Sequence, residues 1–257
     1  MKIKISQSKL KAYSDYKNQK LCGYLFKAKY IDNSVEFVAS EPMEEGIYFE
    51  YLATGSLPKS GQTPYPKKDR SGGISTAYKR IEEAVKLFRK LTAHFKIKIL
   101  KVGYNLENDD ISGVIDIWAE WDGVKCIIDL KYSGLIDDRW NDLGWDIDAL
   151  PEKDSLMIQG VHYKILVNDI LGYEDVPFYY WIFNSKDPTD MKIIRQNVDP
   201  ERFPKHRAMI DYVKDEIEKE MYIGFTPYPK YRDCKDCPLN ATCDKKEEYP
   251  SVEDVYY

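Results

Sequence analysis

The chain has 257 residues, 43% of them hydrophobic and 32% charged, with a formal net charge of −5. This length suffices for one well-buried domain, or one domain with a small appendage, and the composition excludes a disordered or fibrous chain. No apolar run approaches the roughly 18 residues of a membrane span, and the opening MKIKISQSKLKAY lacks the apolar stretch of a secretory signal, so an intracellular protein without membrane association is expected. Five cysteines in a reducing compartment read first as metal ligands or buried thiols. The negative charge does not favour a nucleic-acid binder, but carboxylates gathered in a metal site lower the net charge while a local basic face coexists with them.

Residues 6–22 have the spacing of a short amphipathic helix, with Ser6 and Ser8 as caps and Leu10, Tyr13 and Tyr16 on one side. A second helix is predicted within 35–55, carrying Tyr48, Phe49, Tyr51 and Leu52. Residues 56–73, rich in Gly, Pro, Ser and Lys, read as a loop, and 74–95 as a long helix with Tyr78, Ile81, Val85, Phe88 and Leu91 in phase. The Lys and Arg residues from Lys59 to Lys90 form either a basic face or an ordinary solvated surface.

A strand-rich block follows: KIKILKVGYNLE, then two β-type runs around Trp121-Asp122-Gly123, where Asp-Gly is a strong hairpin signal. A helix at about 154–170, strands in VPFYYWIFNSK and MKIIRQNV, a helix over 200–220 and a loop-rich tail from 224 complete the pattern. This order predicts an α/β (α+β) fold, a central mixed sheet flanked by helices.

The hairpin carries the chemistry. Asp116 and Asp129 interrupt apolar β-type runs, Ile115-Asp116-Ile117 and Ile127-Ile128-Asp129-Leu130-Lys131. Alternation puts Asp129 and Lys131 on one face, and the turn brings Asp116 alongside. Two carboxylates and an ammonium can thus converge. Hard oxygens bind Mg²⁺ while leaving places for water and a phosphate oxygen, which suits phosphodiester cleavage. A Lys beside carboxylates stays charged, so Lys131 is expected to position water or stabilise charge. The bland alternative is a surface hairpin with an Asp–Lys ion pair.

These residues resemble the PD-(D/E)xK nuclease superfamily: Asp116 matches its metal-binding Asp, and Asp129-Leu130-Lys131 its D/E-x-K element. Gln159-Gly160-Val161-His162-Tyr163 is similar to the Q-x-x-x-Y motif of the RecB-like branch, which implies that Gln159 and Tyr163 organise the site or contact DNA. Spaced i and i+4, the two share a helix face. His162 points elsewhere, as a structural residue or a peripheral DNA contact. Gly46-Ile47-Tyr48-Phe49-Glu50 resembles the first motif, implying Glu50 as a further metal ligand, with Glu44 and Glu45 as competitors. The resemblance implies a restriction-endonuclease-like core.

Cys234-x-x-Cys237-Pro238 with Cys243 forms a soft-ligand cluster one thiolate short of four. Cys126 lies on the face opposite Asp129 and reads as a core thiol; Cys22, after the first helix, is the better fourth ligand. One N-terminal cysteine plus a C-x-x-C-P…C tail resembles the [4Fe–4S] arrangement of CRISPR-associated RecB-like exonucleases and AddB-type nucleases. That resemblance implies a cluster held by Cys22, Cys234, Cys237 and Cys243, with Zn²⁺ as the alternative occupant. Gly23 stands where a Pro is frequent in that family.

The expectation is a single nuclease domain over 1–257, with its core at about 40–220 and a cysteine-ligated segment from about 1–25 and 224–246. The implied function is a Mg²⁺- or Mn²⁺-dependent deoxyribonuclease, an exonuclease acting on DNA ends or single strands in recombination, replication or CRISPR adaptation. Without a Walker A motif, helicase activity would come from a partner. A recombination or CRISPR adaptation partner, a homo-oligomer and a phage origin are all compatible with the sequence. The alternative is a non-catalytic DNA-capture module with a structural Fe–S or Zn site.

Overall fold

The computed structural model describes residues 3–35, 38–58 and 60–248; Lys59, one of the cations noted above, lies outside them. Ser6 caps α1 (Gln7–Lys17), its hydroxyl accepting the Lys9 N–H at 3.2 Å. The first helix ends at Lys17, short of 22, because the chain turns at Asn18–Leu21 with Gln19 at φ 57°. A separate helix, α2 (Gly23–Tyr30), then starts after Cys22. Next come α3 (Glu41–Thr54), closed by Gly55 in the left-handed region, and α4 (Thr76–His94). Between them the only pairing is a bridge of Lys68 with Ile74 among the described residues.

β1 (Lys98–Glu107), β2 (Ser112–Trp121) and β3 (Val124–Ser133) form an antiparallel meander. Trp121 pairs with Val124 across a turn whose central residues, Asp122 (φ 50°) and Gly123 (φ 80°), are both left-handed. That is the type I′ geometry whose twist matches its strands. β4 (Phe178–Asn184) then lies parallel to β3, and β5 (Met191–Gln196) antiparallel to β4. A parallel partner needs a crossover, which α5 (Asp154–Leu171) supplies. The sheet order is β1-β2-β3-β4-β5, a mixed sheet flanked by helices, as expected for the α/β class.

One sheet face packs Ile117, Ala119, Cys126, Ile128, Leu130, Trp181 and Phe183 against Tyr48 and Phe49 of α3 and Tyr78, Ile81, Ala84, Val85 and Phe88 of α4. Burial of this apolar set holds α3 and α4 to the sheet. The opposite face meets α5: the Tyr163 and Phe178 rings lie 6.2 Å apart, and the Tyr180 hydroxyl donates to the Leu156 carbonyl at 2.7 Å.

Beyond β5, α6 (Arg202–Ile223) runs slightly past the predicted end, and the tail holds a short helix, α7 (Tyr231–Lys235), where only loop was expected. The described chain divides into two compact units, one of residues 39–208, the other of 3–38 with 209–248. No helix of the described residues is long and apolar enough to cross a membrane.

Candidate active site

Asp129 and Lys131 alternate with the core residues Ile128 and Leu130, so they project from the other face of β3. Asp129 is 1% exposed. Its Oδ1 accepts from Gln159 Nε2 at 2.6 Å, and its Oδ2 is ion-paired with Lys131 Nζ. Asp116 precedes Ile117, whose pairing with Ile128 is the step of the hairpin farthest from its turn. There its Oδ2 accepts the Leu130 N–H at 2.8 Å, so the backbone at the centre of the D-L-K element fixes the β2 carboxylate.

Electrostatics bring Glu50 into the same cluster. Burial raises the Glu50 carboxyl above its ordinary range, and the charge of Asp129 adds to this while Lys131 opposes it. Asp116 is pushed well above the usual carboxylate range by burial, then by Asp129 and Glu50, against Lys131 and the Leu130 N–H. Burial also raises Asp129, although Lys131 pulls the other way. For Lys131, burial works to lower the ammonium, but Asp129, Asp116 and Glu50 outweigh it and hold it above its ordinary value. The lysine therefore stays charged. Of the competing acids, Glu44 pairs with Lys67 at 2.5 Å, and Glu45 is raised by burial and by Glu41.

Among the described residues, no three His, Cys, Asp or Glu side chains stand in position to grip a metal ion. The Asp116 and Asp129 oxygens are turned to protein donors instead. As a donor set, however, Glu50, Asp116 and Asp129 fit a hard dication. Three ionised carboxylates around one ammonium leave two surplus negative charges, and such oxygens are the ligands of Mg²⁺.

On α5, Gln159 and Tyr163 face this cluster together. Tyr163 is 9% exposed, and its hydroxyl is pushed up by burial and by the charges of Asp129, Asp116 and Glu50. The Gly between them is sterically required: a Cβ at Gly160 would lie 2.0 Å from Gln196 Oε1 and 3.1 Å from the Phe178 ring. His162 is fully buried, with Nε2 3.1 Å from the Ser112 carbonyl and Nδ1 3.1 Å from His206 Nε2. It braces α5 and has no surface for a DNA contact. Sequence reasoning overlooked Tyr180, which pairs with Asp129 across the parallel ladder and feels its charge. A hydroxyl-tipped ring inside an apolar strand was the available signal.

In the other unit, Cys22, Cys234, Cys237 and Cys243 line one cavity of about 460 Å³, all half-buried. The Cys237 thiol is raised by burial, and also by the charges of Cys22, Cys234 and Cys243, so the four sulfurs share one environment. Gly23 is needed here: a Cβ would lie 2.2 Å from the Thr226 carbonyl oxygen and 2.7 Å from the Tyr16 ring. Cys126 is 1% exposed, its thiol pushed up to about 12 by burial, as a core residue should be.

This chain is similar to the crystal structure of a candidate exonuclease from Eubacterium rectale, with TM-score 0.66 and 19% identity over 100% of this chain and 91% of that one. A phage-related exonuclease from Haemophilus somnus 129PT matches with TM-score 0.41 and 16% identity over 86% of this chain and 97% of that one. At such identities the first likeness is one of fold. No curated protein matches. The family model of the PD-(D/E)XK nuclease superfamily matches residues 4–244, a span that includes Glu50, the Asp116 and Asp129-Leu130-Lys131 elements and all four tail and N-terminal cysteines. The chain belongs to the PD-(D/E)XK nuclease superfamily.

Proposed function

We propose that the protein is a metal-dependent deoxyribonuclease that hydrolyses phosphodiester bonds at DNA ends or in single strands, with Glu50, Asp116 and Asp129 as the ligands of Mg²⁺ or Mn²⁺. The observation that carries this reading is the gathering of three carboxylates around one ammonium, Asp129 buried and Glu50 and Asp116 half-buried, each acid raised in pKa. Such a cluster is unfavourable by itself and is relieved by a dication. When bound, the metal would supply Lewis-acid stabilisation of the phosphate and lower the pKa of its water.

The protein's own groups do the rest. Lys131, held charged, orients the attacking water and offsets charge developing on the phosphate oxygens. Gln159 fixes the rotamer of Asp129, and the Leu130 N–H that of Asp116. Tyr163, whose hydroxyl stays protonated, remains a donor toward the DNA backbone. The Eubacterium rectale fold neighbour, described as a candidate exonuclease, favours action at ends. Recombination, replication or CRISPR adaptation would be the setting, with a helicase or adaptation partner supplying what this chain does not. The non-catalytic capture alternative predicts a missing acid or lysine, and all four groups are present.

The four cysteines lining one cavity support a bound [4Fe–4S] cluster, with Zn²⁺ as the alternative. Its role would be structural, tying residue 22 to the tail.

The test is cleavage of end-labelled single- and double-stranded DNA by anaerobically purified protein in Mg²⁺, Mn²⁺ or EDTA. Asp129→Ala and Lys131→Ala variants are run in parallel. Metal-dependent cleavage lost in both variants is the expected result. DNA binding without cleavage under every metal would leave the capture module.

A further inference from the structure

The basic run that ends at Lys90 does not behave as one surface in the fold. Lys67 and Lys86 are ion-paired with Glu44 and Glu83, as ordinary surface lysines are. Arg89, near the end of α4, has no carboxylate partner among the described residues. Its Nη2 donates instead to the Leu52 carbonyl on α3 at 3.1 Å.

That bond seats Arg89 in the wall of a cavity of about 580 Å³ between the ends of α3 and α4 and the start of β1. The described residues of its lining include three cations, Arg89, Lys96 and Lys98, and no Asp or Glu, in a chain whose net charge is −5. Glu120, the cross-strand partner of Lys98, is held by Lys125 at 2.6 Å. Lys96 follows the cap of α4 in the left-handed region, at φ 52°, where glycine would sit without strain. The Thr92 hydroxyl in the same wall is spent on the Phe88 carbonyl at 2.9 Å.

The cavity adjoins the carboxylate cluster. Ala53, in its lining, follows Glu50 by three residues on α3, which puts the two Cβ atoms about 5–6 Å apart. The outer side of β1 has no neighbouring strand, since β1 is the edge of the sheet. All these residues belong to the same compact unit.

Three cations without counter-charges in one concavity make a positive field that an anion relieves. Their chemistry suits a phosphate backbone. The lining offers charge but no free side-chain acceptor to read a base edge, so its contacts go to phosphates whatever the sequence. An acidic peptide would meet the same charges, but the continuity with Glu50 favours the strand that is cut.

We infer that Arg89, Lys96 and Lys98 form a subsite for backbone phosphates of the substrate strand, away from the scissile bond. This rests on the nuclease reading above. The experiment uses the full chain. Binding of fluorescein-labelled oligo-dT is followed by anisotropy in EDTA over a series of KCl concentrations, and steady-state cleavage of single-stranded DNA is measured in Mg²⁺ or Mn²⁺. Lys96→Gln/Lys98→Gln is compared with wild type and with Lys205→Gln/Lys219→Gln, which removes the same charge from ion-paired lysines on α6. Thermal melting is the folding control.

Each lost phosphate contact lowers the slope of log affinity against log salt by about 0.7 for a single strand, so the cavity variant should lose about 1.4. Its affinity should fall about tenfold and KM rise to match, with kcat within about twofold, while the α6 variant stays near wild type. If the double variant fails to fold, Lys98→Gln alone decides, with an expected loss of about 0.7. An unchanged slope in the cavity variant would overturn the inference and leave an acidic protein segment as the occupant. An equal loss in the α6 variant would also overturn it, because the effect would then be one of overall charge. A reduced slope in a protein that cleaves with neither metal would instead defeat the nuclease reading and leave the phosphate subsite standing.

Discussion

Gln159 Nε2 donates to Asp129 Oδ1 across 2.6 Å, linking α5 to β3 at a carboxylate that is 1% exposed. Gln159→Leu leaves that oxygen buried without its donor. A loss of about 1–3 kcal/mol in unfolding free energy is expected. Cleavage should fall by more than about tenfold as Asp129 leaves its rotamer. Urea denaturation and the DNA assay read the two effects separately, and unchanged values in both would dismiss the hydrogen bond as incidental.

Asp116→Asn should separate stability from activity. The amide oxygen can still accept the Leu130 N–H, but a buried negative charge is gone. A raised carboxyl makes the unfolded chain ionise first, so stability is lost as pH rises from the ordinary carboxylate value of about 4 toward the folded value. At neutral pH in EDTA the variant should therefore melt higher than wild type. It should also lose both cleavage and any rise in melting temperature on adding Mn²⁺. A variant that melts lower in EDTA would contradict the repulsion argument.

The buried His162–His206 pair predicts an opposite pH dependence. Burial holds His162 down to about 4, and burial with the charges of His162 and Arg207 holds His206 down to about 3. The unfolded chain takes up protons near about 6.5. The pair's contribution is complete above that value and is lost as pH falls, by up to about 1.4 kcal/mol per pH unit for each histidine. The pair's share of the melting temperature should decline between about pH 6.5 and 5, against the rise that the raised carboxylates bring as pH falls. His206→Gln should roughly halve that slope. An unchanged slope would show that another group governs acid sensitivity.

Metal analysis tests the cysteine cavity. Anaerobically purified protein should carry about four iron atoms per chain for a cluster. A single zinc per chain would identify the alternative. Cys22→Ser should lose the metal, and Cys126→Ala, altered in the other unit's core, should keep it. Full metal content in Cys22→Ser would remove that residue from the site.

The parts legible in sequence were those that local pattern encodes. Asp122-Gly123 between alternating runs fixes a type I′ hairpin, and from it follow the register of Asp116 and the opposite facing of Cys126 and Asp129. Helices with long apolar stripes, such as Thr76–His94, were found to within two residues. The break between α1 and α2 was not legible, because it turns on Gln19 in the left-handed region, and nothing about a glutamine announces that. Contacts between distant residues were equally hidden. The His162–His206 pair joins α5 to α6, while Trp145 against Tyr180 and the tight seat of Gly160 on Gln196 depend on the placement of β4 and β5, none of which periodicity specifies.

The parallel placement of β4 also sets an order of assembly. The hairpin pairs residues as near as Ile117 and Ile128, whereas β3 and β4 join Ile127 to Phe178. Closing the longer loop carries the larger entropy penalty, so the meander is expected to form first and the crossover later. In the open meander Asp116 and Asp129 face water and ionise freely. The arrival of α5 and β4 is then expected to dehydrate Asp129, so the carboxylate cluster would be completed late in folding.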